Sequence, residues 1–397
     1  MRARGHRVLI VVQNLSVPMD RRVWLECAAL RDAGLGVSVI CPRNPGEAAD
    51  ETLEGVRIRR YRPAPPARGP AGFVLEFVWC WLLTAWLSVR CARAEGFDVL
   101  QACNPPDTYF ALGALWKLAG KRFVFDQHDL CPEVYRSRFP GGSRALETGL
   151  RLLERATYRV ADHVIATNDS YRAVALRRGR LPAASVTVVR TGPDPQRLRR
   201  TEADPSWRNG RAHLLAYLGV MGPQDGVDLA LEAMDRIVHT HGRDDVQLVL
   251  VGGGDCFDDL RALAHRLGLD DHVTFTGRVP DERVFSVLSS ADLGLSPDPL
   301  NPLNDVSTMN KTMEYMAFGL PVVAFDLTET RVSAADAAVY VPPNDVDAYA
   351  KAILDLLDDP ERRDAMGRLG RRRVEDELAW EHQAPRYVEV YRQLLGP

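Results

Sequence analysis

Short runs of β-branched and other apolar residues alternate along the chain with longer segments whose apolar positions recur every three or four residues. The first period belongs to strands and the second to amphipathic helices, and their alternation predicts parallel sheet with crossover helices. In the first half the predicted strands are Val8–Val12, Val37–Cys41, Val56–Tyr61, Val99–Ala102, Phe123–Asp126, His163–Thr167 and Val186–Val189. Arg190 to Ala212 is polar, with Pro193, Pro195 and Pro205, and reads as a linker. A second series follows at Leu214–Leu218, Gln247–Val251, Val273–Thr276, Leu293–Ser296, Val322–Phe325 and Ala338–Val341. Charged helices over Pro360–Glu375 and Trp380–Leu395 end the pattern. The expected fold class is α/β, with two Rossmann-like domains whose parallel sheets face a central cleft. Residues 1–192 form the first domain, 193–212 the linker and 213–375 the second, and a last helix over 376–397 crosses back to the first.

One segment breaks the amphipathic rule. Phe73 to Val89 (FVLEFVWCWLLTAWLSV) carries Glu76 as its single charge. At 17 residues it is near the lower limit for a membrane span, and Glu76 argues further against insertion. Two readings stay open: a buried helix of the first domain, or a helix lying in a membrane interface with Trp79, Trp81 and Trp86 at headgroup depth.

A chain of 397 residues that is 46% hydrophobic suits two cores rather than one. Its net charge of −3 hides an asymmetry: residues 1–200 hold 31 Lys and Arg against 19 Asp and Glu, and the remainder is correspondingly acidic. A basic half points to an anionic partner, such as phospholipid or a phosphorylated acceptor, or else to a solvated Arg-rich surface. No aromatic-interleaved basic motif of the RNA-binding kind is present, so no nucleic-acid partner is expected. Seven cysteines are scattered and never spaced as CxxC, which reads as reduced thiols in the cytoplasm. The start, Met1 to Arg7, is basic, but the five apolar residues after it fit a first strand and not a signal peptide.

The chemistry concentrates at Met309–Asp326, MNKTMEYMAFGLPVVAFD. Gly319 is placed to stop a short helix in the left-handed conformation, Pro321 prevents its continuation, and a buried strand follows. Ser307, Thr308, Met309 and Asn310 are expected to form the helix's first turn, where free amides and the positive dipole end bind phosphate. Lys311 adds a full charge, and Glu314, one turn on, could accept from a ribose diol. The plain alternative is a Lys and a Glu that merely face water.

These residues carry a resemblance. Leu293 to Pro343 resembles the nucleotide-sugar site of the family 4 glycosyltransferases, whose GT-B fold has two Rossmann-like domains. Glu314 matches the second Glu of that family's Glu-x7-Glu pattern, and Gly319, Pro321, Val322 and Val323 match its small-residue turn, proline and Val-rich strand. Leu250 to Gly254 resembles the family's strand and glycine turn, and Phe275 to Val279, with Arg278, its uracil-side loop. Two departures matter. The first Glu falls on Val306, beside Asp305. The Gly-Arg-Leu-x-x-x-Lys-Gly run matches Gly219 to Gly226 with Val220 for the Arg and Asp225 for the Lys, so two phosphate-binding cations are missing and Lys311 is the candidate replacement.

In the first domain, His128 matches the family's His near the transferred sugar, at a strand's carboxyl end, although a lone loop His is also an ordinary structural residue. Glu133 is a candidate acceptor-side group. The loop from Gln13 to Arg22 offers Asn14, Asp20, Arg21 and Arg22, with Asp20 also a cap for a helix starting at Arg21. Asp345-Val346-Asp347 is the Asp-x-Asp match, but it reads as a helix cap, and neither HExxH nor a first-strand Gly-x-Gly-x-x-Gly occurs. No metal or other cofactor is expected. The resemblance implies a retaining, metal-independent transferase that moves sugar from a nucleoside diphosphate sugar, with uridine the commonest base, to a lipid-linked glycan precursor or a metabolite. His128 and Asp305 would contact sugar hydroxyls. The expected place is the cytoplasm, with peripheral contact at the inner face of its membrane. A nucleotide-sugar epimerase of the same fold and a non-catalytic membrane-associated partner are the competing readings.

Overall fold

The computed structural model describes residues 5–64 and 69–396, so the first four residues of the basic start lie outside it. The chain divides into two compact units. The first runs to Arg136, takes in Gly141–Thr191 and is completed by the chain from Gln383 onward. It opens with β1 (Arg7–Val11), α1 (Arg21–Asp32), β2 (Gly36–Pro42), β3 (Asp50–Leu53) and β4 (Val56–Tyr61). Then come α2 (Gly69–Ala94), β5 (Val99–Cys103), α3 (Phe110–Leu118), β6 (Arg122–Gln127) and α4 (Cys131–Arg138). It continues with α5 (Arg144–Val160), β7 (His163–Ala166), α6 (Asp169–Gly179) and β8 (Val186–Val188).

The eight strands form one sheet in the order β3-β4-β2-β1-β5-β6-β7-β8, parallel except for β3. Strands β1 and β5 are buried almost throughout because helices cover both faces, and apart from Arg7 and Gln101 their residues are apolar. The periodicity missed β3, whose sequence DETL is charged and half exposed. It survives as an edge strand because Glu54 and Gly55 both take positive φ, +46° and +83°, in a tight hairpin turn. Asp20 caps α1 as expected, accepting from the Val23 amide.

The second unit holds Gly192–His382. Its elements begin β9 (His213–Leu218), α7 (Val227–Asp235), β10 (Val246–Val251), α8 (Phe257–Arg266), β11 (Val273–Gly277) and α9 (Asp281–Ser290). They continue β12 (Leu293–Ser296), α10 (Asn310–Ala317), β13 (Val322–Phe325), α11 (Thr328–Ala334), β14 (Ala338–Val341), α12 (Val346–Leu357) and α13 (Pro360–Arg373). All six strands are parallel, in the order β11-β10-β9-β12-β13-β14. Asp345 caps α12 by accepting from Ala348, which is the role read for the Asp-x-Asp match.

The expected linker needs correcting. Residues 193–212 pack on the second unit rather than running free: the Thr201 and Asp204 amides donate to Ser289 and Ser290, and the half-exposed polar run is anchored by buried Trp207, whose indole donates to Ser286. The last helix, α14 (Trp380–Leu395), starts in the second unit and has its body in the first, where Tyr387 and Tyr391 are fully buried.

Both sheets are doubly wound, and each has a place where the strand order reverses: between β1 and β5 in the first unit, between β9 and β12 in the second. Loops at the carboxyl ends of such strands are where open α/β sheets bind ligands.

Candidate active site

In the second unit the turn after β9, Gly219 to Gly222, and the turn after β10, Gly252 to Gly254, lie against one another. Gly219 donates its amide to Val251, and Met221 to Gly253. Gly252 holds φ +131°, and a Cβ there would sit 1.9 Å from the Gly219 carbonyl oxygen, so only glycine permits the approach. Tyr217 ties down the first turn by donating to the Val220 carbonyl at 2.6 Å. Tyr315 of α10 accepts from the Leu218 amide and donates to the Leu295 carbonyl, joining β9 to β12 at the switch point.

Lys311 lies beneath these turns. It is 9% exposed; its ammonium donates to Asp298 Oδ1 at 2.5 Å and stands 5.1 Å from the Tyr217 ring centroid. Burial alone would lower its pKa, but Asp298 and then Asp225 outweigh that and raise it, so the ammonium is charged. Asp298 also accepts from Ser296 Oγ at 2.7 Å. Burial pushes Asp225 up despite Lys311 and the Gly222 amide, which donates to it at 2.9 Å. Lys311, the candidate replacement for the missing Arg and Lys, is therefore already matched by an acid of its own. Arg278, whose Cγ lies 3.9 Å from where a Gly253 Cβ would stand, keeps an exposed guanidinium beside the glycine turns.

Helix α10 starts one turn later than expected. Met309 is its N-cap and Asn310 its first residue, while Ser307 ends a short 3-10 turn over Asn304–Val306 and Thr308 lies between the two. The Ser307 hydroxyl donates back to the Leu303 carbonyl, which holds that residue out of the helix. The first-turn amides are then those of Asn310 and Lys311. Glu314 is half buried on α10, and Gly319 ends the helix at φ +66° as predicted. Asp305 is half buried, and one of its carboxylate oxygens accepts from the Thr328 amide at 2.9 Å, at the start of α11.

In the first unit a buried polar cluster surrounds the switch point. Arg22 of α1 donates to Asp126 Oδ1 at 2.9 Å, to the Val189 carbonyl at 3.0 Å and to Thr191 Oγ1 at 2.9 Å. Its Nε lies 3.1 Å from His128 Nε2 and 3.0 Å from Glu26 Oε1. His128 Nε2 is 2.6 Å from Asp126 Oδ2, and its backbone amide donates to Asn104 Oδ1 at 2.6 Å. Burial would raise Asp126, but Arg22 and His128 outweigh it and hold the carboxyl below the usual range. Burial, then the Asp126 charge, pushes Glu26 well above its usual value and keeps it neutral. One full negative charge thus faces one guanidinium. Gln101 of β5 completes the cluster, donating to Glu26 Oε2 at 2.8 Å and accepting from both Tyr387 and Tyr391.

Glu26, Cys103, Asp126 and His128 are spaced closely enough to ligate a metal ion. The Arg22 guanidinium already stands among three of them, and burial raises the Cys103 thiol well above its usual value, so the donor set does not fit a cation.

Several sequence expectations fall differently here. Arg22 is a 6% exposed member of the cluster and not a surface acceptor contact, whereas Arg21 and Asn14 are exposed. Glu133 is buried in a pair with Arg178, which also reaches Glu154 at 3.1 Å, so its carboxylate is spent on structure. Asp298, Tyr217 and Tyr315 were not singled out by sequence. Asp298 had a signal, an acid placed two residues beyond a strand's carboxyl end; the tyrosines had none, being indistinguishable from core aromatics.

Comparison with known proteins agrees with this geometry. The family described as "Glycosyl transferase 4-like domain" matches residues 19–192, and "Glycosyl transferases group 1" matches residues 212–359. A GDP-mannose-dependent alpha-(1-6)-phosphatidylinositol monomannoside mannosyltransferase from Mycobacterium tuberculosis is 31% identical over 76% of this chain and 85% of its own. Among solved structures, sucrose-phosphate synthase from Thermosynechococcus elongatus superposes with TM-score 0.79 at 22% identity, covering 98% of this chain and 99% of the other. An Anabaena protein in complex with UDP-glucose gives TM-score 0.72 at 16% identity, covering 98% and 99%, and like the synthase speaks to the fold alone. The chain belongs to family 4 of the glycosyltransferases and is an enzyme of the GT-B fold.

Proposed function

We propose that the protein transfers a hexose, with retained anomeric configuration and without a metal ion, from a nucleoside diphosphate sugar to a sugar-bearing lipid at the cytoplasmic face of a membrane. The observation that carries the reading is the pair of glycine turns at the switch point of the second unit, packed against the start of α10 with a Cβ at Gly219 only 3.3 Å from Lys311 Cε. Such a surface of backbone amides accepts phosphate oxygens at close range. The mycobacterial relative's name favours a guanosine diphosphate donor over the uridine first implied by resemblance, and a lipid over a soluble metabolite.

As the glycosidic bond breaks toward an oxocarbenium-like state, negative charge gathers on the leaving diphosphate. The amides of Asn310 and Lys311 and the Arg278 guanidinium would receive it, with Glu314 accepting from the ribose. His128, oriented by Asp126 and Asn104, would contact the sugar, and the leaving phosphate would take the acceptor proton, so the scheme needs no protein nucleophile. The seven free thiols suit the reducing compartment where such donors occur.

The test is incubation of purified protein with radiolabelled GDP-mannose or UDP-glucose and a bacterial lipid extract, with label followed into the organic phase and the product's anomeric configuration read by NMR. Label in lipid from one donor is expected. Conversion of donor without acceptor, or failure of both GDP and UDP to bind, would overturn this reading.

A further inference from the structure

Helix α2 presents two apolar faces where a surface helix ordinarily has one. Its inner face is fixed to the first unit: Cys80, Thr84, Leu87, Ser88 and Cys91 are buried, the Trp116 indole donates to Ser88 Oγ at 3.1 Å, and Arg59 donates to Cys91 Sγ. The outer face carries Leu75, Val78, Trp79, Leu82 and Trp86, at spacings of three, one, three and four. With Arg90 and Arg93 they fall within an arc of about 120° at 100° per residue. Leu75 is 62% exposed, Leu82 57% and Trp86 56%. Trp81, expected to join Trp79 and Trp86 outside, turns away from that arc and packs half buried against the core.

A continuous apolar stripe of this kind marks a surface that is covered in use. From it we infer that α2 docks the protein in the plane of an anionic phospholipid bilayer, its outer stripe among the acyl chains and its carboxyl-terminal arginines at the phosphates. Charge selects this occupant. The stripe ends in Arg90, whose guanidinium stands 4.9 Å from the Trp86 ring centroid, and in exposed Arg93. Glu76 is the one acid on α2, and Glu95 just beyond is bound to Arg59 and Ser38. The neighbouring α3 adds exposed Leu115 and Leu118, the latter 87% exposed, in a stretch through Arg122 that is basic and free of acids. A span is excluded by the inner face: Thr84, Ser88 and Cys91 are bonded to the unit's own side chains, so the helix can only lie flat.

The docking stands on this surface alone and not on the transfer reaction. Co-sedimentation with vesicles containing roughly 30% phosphatidylglycerol, and with pure phosphatidylcholine, tests it. Wild type is expected to sediment with the anionic vesicles and to release as salt rises. Leu82→Gln/Trp86→Gln and Arg90→Glu/Arg93→Glu should each weaken partition by about tenfold or more, with circular dichroism melts unchanged because all four side chains are exposed. Absence of wild-type binding would overturn the inference, as would binding that both double variants retain. A wild-type dimer by sedimentation equilibrium that Leu82→Gln/Trp86→Gln abolishes would also overturn it, showing that a second copy covers the stripe.

Discussion

Lys311→Met separates two roles that the sequence could not. The substitution keeps the chain length and removes the ammonium, leaving Asp298, 1% exposed, with Ser296 Oγ as its remaining side-chain partner. Removing one member of a buried ion pair costs about 3–5 kcal/mol, because the surviving charge stays desolvated. The retained hydroxyl bond, worth about 1 kcal/mol, places the expected loss near the lower end, at about 3 kcal/mol. Asp298→Asn in the same chain removes the orphaned charge and should return most of that loss. The assay is urea unfolding by tryptophan fluorescence, fitted with separate transitions for the two units where they resolve. Calorimetric titration with GDP and UDP runs beside it. A Lys311→Met variant within about 1 kcal/mol of wild type would refute the buried-pair account. The double variant then apportions function: nucleotide affinity equal to wild type makes Lys311 structural, while an affinity reduced tenfold or more in single and double alike makes its charge part of the phosphate site.

Three further outcomes are expected. His128→Ala should lower kcat by about a hundredfold or more with a smaller change in KM, and a raised KM with kcat unchanged would instead place the residue in uniform substrate binding. Arg22→Met should destabilise the first unit by about 3–5 kcal/mol, since Asp126 would be left charged in the core, and urea unfolding beside Arg22→Met/Asp126→Asn would show whether the charge is the cause. Asp107, pushed by burial to about 7 and bonded to the Asn104 side chain that holds the His128 amide, should make stability depend on pH. Its folded-state pKa lies above the ordinary aspartate value of 3.8, so this contribution is complete below about pH 4 and is lost as pH rises through 7. Thermal melts across that window should fall in wild type and flatten in Asp107→Asn.

Strands were legible because parallel strands covered on both faces read as short apolar runs; Leu293–Ser296, Val322–Phe325 and Ala338–Val341 were placed to the residue, as was Val56–Tyr61, whose Val56 and Ile58 alternate with arginines. Strand β3 was not, since an edge strand held by a turn has no apolar signature. The helix stop at Gly319 followed from steric chemistry local to one residue, whereas the late start of α10 depended on a hydroxyl reaching back four residues. Glycine turns and Glu314 could be matched by pattern. What pattern could not supply was pairing: nothing in the sequence says that Lys311 meets Asp298, that Glu133 meets Arg178, or that Arg22 turns inward. Those contacts join residues 13, 45 and 104 positions apart, and they decide which charges remain for a ligand.

The two phenols that reach Gln101 come from residues 387 and 391, nearly three hundred positions downstream of the strand they complete. During synthesis the first unit's sheet is made early, yet the two donors to the Gln101 side-chain oxygen leave the ribosome after the whole second unit. Until then the Gln101 side-chain oxygen lacks both of these donors, beside the Glu26–Asp126 carboxyl pair. The first unit is therefore a nascent intermediate that waits for its last helix, and a chain terminated after residue 382 should be recognised by proteases through that unit, far from the truncation in sequence.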